Sequence, residues 1–160
     1  MEEQFRRNPK DFETAGAIGA GYGKLHRYDK AVEWFRKALD INPSYAEAYL
    51  SLGAAYGFQG RLDDKIAACK QAIKLKPDYA DAYFTLGSAL GKRGQYKESA
   101  EVLEKGVKLE PDSVEGHFSL GLSYACLGDR THALTEEGIL TRLDAGRAKD
   151  LRKLIDKLSP

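Results

Sequence analysis

Four prolines, Pro9, Pro43, Pro77 and Pro111, stand 34 residues apart each time. A fixed period of that length confines a chain to architectures that stack one supersecondary unit again and again. The same offset relates Gly19, Gly53, Gly87 and Gly121, and it relates Tyr22, Tyr56, Leu90 and Tyr124. It relates Gly60, Gly94 and Gly128, with His26 as the first-repeat exception, and Ala31, Ser99 and Ala133, with Lys65 as the second-repeat exception. The repeats therefore fall at residues 12–45, 46–79, 80–113 and 114–147. Within each, apolar residues recur at helical spacing rather than in strict alternation. In the third repeat Tyr83, Leu86 and Leu90 share one face, and after a break at Gly94 the pattern resumes with Leu103, Val107 and Leu109. Each repeat is expected to be a helix, a short turn and a second helix, in an all-α chain.

The helix boundaries have mechanical causes. Each periodic proline stops the helix before it, because the residue ahead of a proline is pushed out of the helical region. Ser44, Asp78 and Asp112 follow the prolines, and an acid stands three residues on, at Glu47, Asp81 and Glu115. That pattern predicts Ser44, Asp78 and Asp112 as helix N-caps. Gly60, Gly94 and Gly128 fall at the turn between the two helices, where a left-handed residue is wanted.

A two-helix unit of this length resembles the tetratricopeptide repeat. The second repeat supplies Tyr49, Leu52, Gly53, Tyr56, Gly60, Ala72 and Pro77. The third supplies Tyr83, Leu86, Gly87, Leu90, Gly94, Ser99, Leu103 and Pro111. The first supplies Ile18, Gly19, Tyr22, Ala31, Phe35, Ala38 and Pro43, and the fourth Leu120, Gly121, Tyr124, Gly128 and Ala133. The resemblance implies a right-handed α-solenoid of antiparallel helix pairs, with the first helix of each pair lining a concave face. Small residues at Gly19, Gly53, Gly87 and Gly121 let the two helices of a repeat approach closely. One repeat alone cannot cover its apolar face, so stacking is obligatory.

The ends of the array differ from its middle. Leu151, Leu154, Ile155 and Leu158 form one apolar stripe, with Arg147, Lys149, Arg152, Lys153 and Lys157 on other faces. This predicts a solvating cap helix over about residues 145–158, with Asp150 and Asp156 arguing against a lipid surface. Residues 1–11 read as the remnant of a preceding helix or as an N-terminal cap. Lys65 replaces a small residue and Glu137 an aromatic one. Lys65 is expected to lay its stem on apolar surface and keep its charge in water. His117 replaces a bulky residue and is expected to be packed.

Several function classes drop out. The 160-residue chain carries 25 Lys plus Arg against 24 Asp plus Glu, a formal charge of +1, which lacks the basic footprint of a nucleic-acid binder. No apolar run approaches the roughly 20 residues a membrane span needs. The glycines at 16, 19, 21 and 23 imitate a phosphate-cradling loop, but no strand precedes them and Gly19 and Gly23 recur as Gly53 and Gly57. Cys69 and Cys126 are far apart, and no Cys/His ligand spacing or catalytic constellation stands out. Neither a cofactor nor a metal is called for, and no enzymatic activity is expected. The cytoplasm is the default compartment, the periplasm if the chain is cut from a longer precursor.

The resemblance also implies which positions face a partner, namely the second, fifth, ninth, twelfth and thirteenth of each repeat. These include Glu47, Leu50, Ala54 and Phe58 in the second repeat; Asp81, Phe84, Ser88 and Lys92 in the third; and Glu115, Phe118, Leu122 and Cys126 in the fourth. The fifth and ninth positions lack the Lys, Arg and Asn of chaperone-tail clamps, and no first helix carries the asparagine ladder of glycosyltransferase-linked arrays. What remains is a floor of small residues beside Leu50, Phe58, Phe84, Phe118 and Leu122, with a rim of Glu13, Glu47, Asp81 and Glu115. The expected function is a non-catalytic scaffold that takes a peptide or helix with apolar anchors and some basic character. The alternative is a structural module that forms homo-oligomers through the same surfaces.

Overall fold

The computed structural model describes residues 1–158, so Ser159 and the terminal Pro160 lie outside the described residues. Every regular element among them is a helix. The chain divides into two compact units, Met1–Pro77 and Asp78–Pro160.

The first unit holds α1 (Glu2–Arg7), α2 (Phe12–Lys24), α3 (Tyr28–Ile41), α4 (Ala46–Phe58) and α5 (Leu62–Leu75). Helix α2 packs on α3, α3 on α4, and α4 on α5. The second unit holds α6 (Ala80–Lys92), α7 (Tyr96–Leu109), α8 (Val114–Cys126), α9 (Arg130–Leu143) and α10 (Ala145–Leu158). Helix α6 packs on α7, α7 on α8, α8 on α9, and α10 covers both α8 and α9.

Each pair folds back through a three-residue turn. Its middle residue is left-handed, with φ of 74° at Gly60 and 77° at both Gly94 and Gly128. His26 takes the same conformation, φ 57°, and is the one non-glycine among the described residues to do so. A side chain there costs about 1–2 kcal/mol of backbone strain. His26 offsets part of it through a 2.8 Å hydrogen bond between its Nδ1 and the Tyr28 hydroxyl.

Glycine is required where the paired helices touch. A Cβ on Gly19 would lie 2.9 Å from the Phe35 ring, and one on Gly87 would lie 2.4 Å from Leu103 Cγ. Gly53 faces Cys69 Sγ at 3.2 Å in the same way. Phe35, Cys69 and Leu103 stand 34 residues apart, and the fourth member of that series is Glu137. Glu137 does not fill its notch. A Cβ on Gly121 would instead meet Leu151 Cδ2 at 2.5 Å, so α10 supplies the missing apolar plug. Glu137 pairs with Arg152 of the same helix at 2.8 Å. The cap thus replaces an internal side chain as well as shielding the last repeat.

The predicted N-caps are corrected by one residue. Tyr45, Tyr79 and Ser113 hold those positions, not Ser44, Asp78 and Asp112. Asn42 shows why in the first case: its Oδ1 accepts from the Ser44 N–H at 3.0 Å, so the segment closes an Asx turn before the helix begins. Only Ser113 of the three caps with its side chain, accepting from the Gly116 N–H. Tyr45 packs instead, edge-on against Phe12 at 5.0 Å, with Cε1 3.1 Å from where Gly16 would carry a Cβ.

Repeat tyrosines also tie helices together at a constant separation of 20 residues. Tyr22 donates to Glu2 Oε1 at 2.5 Å, Tyr56 accepts from Arg36 at 2.8 Å, and Tyr124 donates to Glu104 Oε1 at 2.7 Å. Glu2 therefore does for α2 what Arg36 does for α4.

Candidate functional site

In the second unit, α6 and α8 lie side by side across α7 and leave a cavity of about 290 Å³. Its wall includes Ser88 and Lys92 from α6 and Glu115, Phe118, Leu122 and Cys126 from α8. These are six of the residues predicted to face a partner. The floor is shallow for a sequence reason: Gly87 and Gly91 carry no side chain, and Ser99 occupies a small-residue position. Ser99 Oγ lies 2.8 Å from the Gly87 carbonyl and 2.9 Å from Ser123 Oγ. Ser123 donates in turn to the Ser119 carbonyl at 2.9 Å. The polar groups of the floor are thus engaged within the protein, and Phe118 and Leu122 supply its apolar surface.

Phe118 is braced from one side. The Arg147 guanidinium of α10 sits 4.0 Å from the ring centroid and forms an ion pair with Glu115 at 2.6 Å. The other rim acids are not equivalent to one another. Glu47 is paired with Lys76 at 3.4 Å, whereas Asp81 is exposed. With Glu47 and Glu115 neutralised in place, the rim does not present the continuous acidic edge read from the sequence.

Phe84 is corrected from surface to core. It is 9% exposed, and its Cε1 lies 2.5 Å from the Cβ positions of both Gly106 and Gly116. The ring is a knob seated in a slot that these two glycines create. The sequence held a signal for this: Gly106 replaces the Ala38 and Ala72 of earlier repeats, and Gly116 replaces Ala48 and Ala82.

In the first unit, Leu50 and Ala54 are half-buried on α4, and Glu47 is exposed. Phe58 leaves their company: its ring stacks on Tyr28 at 4.6 Å with an interplanar angle of 6°. It is 69% exposed and borders a different cavity, with His26, Arg27, Asp29, Lys30 and Gln59.

Lys65 keeps its stem against Gly57, whose Cβ would lie 3.0 Å from Lys65 Cδ. His117 is packed, at 5% exposure, with Nδ1 2.6 Å from Glu136 Oε2 and Nε2 2.8 Å from the Pro111 carbonyl. Sequence reasoning found the histidine and missed its partner, since Glu136 lies on an exposed-looking stretch of α9. Burial raises the Cys69 thiol to about 11, so this cysteine is an inert core residue. Among the described residues no group of His, Cys, Asp and Glu is arranged to hold a metal, and no helix is long and apolar enough to cross a membrane.

Profiles of the TPR repeat match residues 22–60, 58–94 and 87–128, more than half of the chain. The chain belongs to the tetratricopeptide-repeat family. Solved structures agree on this repeat fold. A crystal structure of MamA is similar with a TM-score of 0.84 and 28% identity, over 92% of this chain and 86% of MamA. YrrB, described as a TPR protein with an unusual peptide-binding site, gives 0.83 at 20% identity, over 99% and 92% of the two chains. The first TPR of Spaghetti (RPAP3), solved bound to the HSP90 peptide SRMEEVD, gives 0.71 at 23% identity, over 72% and 92%. At the identities of the last two, the likeness is one of fold. None of the curated proteins matches the chain.

Proposed function

We propose that this tetratricopeptide-repeat protein is a non-catalytic scaffold that holds a peptide or helical segment of another protein in the groove along α8. The observation that carries the reading is the cavity between α6 and α8, where a floor without bulky side chains meets the half-buried Phe118 and Leu122. Small residues let a partner's backbone come close, and partly covered apolar side chains receive its anchor. That two proteins of the same fold are described with a peptide site or a bound peptide supports the reading.

Filling the cavity tests it without disturbing the core. Ser88→Trp places a large side chain on the cavity wall at a position that is half-buried and outside the packed clusters. Capture of the partner by the immobilised chain should be lost while the thermal unfolding curve stays close to that of the unmodified protein. Equal capture by the two proteins would refute the groove as the binding surface.

Self-assembly through the same family of surfaces is the competing reading, favoured by the exposed Tyr28–Phe58 stack. Sedimentation velocity over a hundredfold concentration range separates the two. A scaffold sediments as one species throughout, and self-assembly shifts the distribution in a way that Phe58→Ser suppresses.

A further inference from the structure

We propose that the groove of the C-terminal unit selects a segment whose apolar anchor is flanked by carboxylates, and that Lys92 reads that charge. The proposal rests on the groove being the binding surface, and adds the chemistry of what enters it. The sequence alone pointed the other way, because its periodic acids suggested a basic partner.

The ion pairs around the cavity reverse that expectation. Glu115 is the acid on the cavity wall, and Arg147 already neutralises it at 2.6 Å. The same guanidinium lies flat over Phe118, so the cation is fixed beside the apolar floor rather than free to swing into solvent. Its side chain retains 38% exposure, enough for its remaining N–H groups to meet a second acceptor. Lys92, on the wall formed by α6, is exposed and has no ion partner among the described residues. The serine hydroxyls of the floor are engaged with one another and with backbone carbonyls, so they leave this charge uncompensated. Two cations and one acid thus face the groove, and the partner's complement is an apolar side chain with Asp or Glu beside it. Exposed pairs of this kind are modest individually and weaken with salt.

A random heptapeptide library displayed on phage, selected against the full chain, tests the idea without choosing a ligand in advance. The enriched peptides should carry Asp or Glu next to Leu, Ile or Phe. The most enriched peptide and a twin with Lys at every acidic position are then titrated by fluorescence anisotropy. The acidic peptide should bind about fivefold more tightly or better, with the gap closing as salt rises. Lys92→Glu should remove or invert the gap; the substitution is on an exposed residue and leaves the packed clusters untouched. Enriched peptides that are neutral or basic, or an acidic preference unchanged in K92E, would overturn the proposal. If such peptides are still excluded by Ser88→Trp, the groove survives and only its charge preference falls. Absence of any enrichment would overturn both.

Discussion

Leu151→Ala removes the side chain with which the cap helix fills the Gly121 notch. Leu151 is fully buried, and truncating a buried leucine costs about 2–5 kcal/mol, depending on how far the site collapses. That loss alone would follow from any buried leucine, so the informative measurement is its coupling to Gly121. A Cβ at position 121 would meet Leu151 Cδ2 at 2.5 Å and Glu136 Cβ at 3.1 Å. Overpacking of that kind costs about 1–3 kcal/mol. Gly121→Ala should therefore destabilise the intact protein despite a gain in helix propensity of about 1 kcal/mol. In the Leu151→Ala background the closest obstacle is gone, and the same substitution should cost at least about 1 kcal/mol less. Urea unfolding followed by circular dichroism supplies the four stabilities. Amide exchange localises the change, with α8, α9 and α10 expected to lose protection first, as befits a repeat array whose contacts are between neighbours. An equal penalty for Gly121→Ala in both backgrounds would show that Leu151 is not what fills the notch.

Other substitutions address separate features. His26→Gly should raise stability by up to about 1 kcal/mol, because relief of the left-handed strain outweighs the lost Tyr28 hydrogen bond and the freer unfolded chain; a drop in the urea midpoint would contradict this. Glu136→Ala should cost about 3–5 kcal/mol by leaving the buried His117 ring without its acidic partner, and a loss under 1 kcal/mol would show the pair to be dispensable. Phe84→Ala should cost about 3–5 kcal/mol in unfolding experiments; a change near zero would return Phe84 to the list of surface anchors.

The fold was legible in the sequence because its constraint is periodic. Prolines that end helices, left-handed turn glycines and the notch glycines each recur at one offset, and each has a local mechanical cause. What the sequence hid depends on breaks in that period. The notch at Gly121 is filled from α10, a segment with no counterpart in the repeat, so Leu151 read only as one member of an apolar stripe. The cap shift at Tyr45 follows from the Asn42 side chain closing a turn, which residue type alone does not reveal. The groove was half legible. Position within the repeat led to Ser88, Phe118 and Leu122, which do border one cavity, but it also led to Phe84, whose depth is set by glycines on two neighbouring helices. Rim charge was the least legible feature, since pairing of Glu47 with Lys76 and Glu115 with Arg147 joins residues about 30 positions apart.

The most direct test of the groove uses a reporter already in its wall. Cys126 is half-buried and borders the cavity, while Cys69 is fully buried and its thiol is raised to about 11, so it serves as an internal control. Alkylation at neutral pH, followed by mass spectrometry, should modify Cys126 first and Cys69 only after denaturation. With saturating partner or selected peptide, a groove that holds the segment protects Cys126 and slows its modification severalfold. An alkylation rate at Cys126 unchanged by saturating partner would place the binding surface elsewhere on the protein.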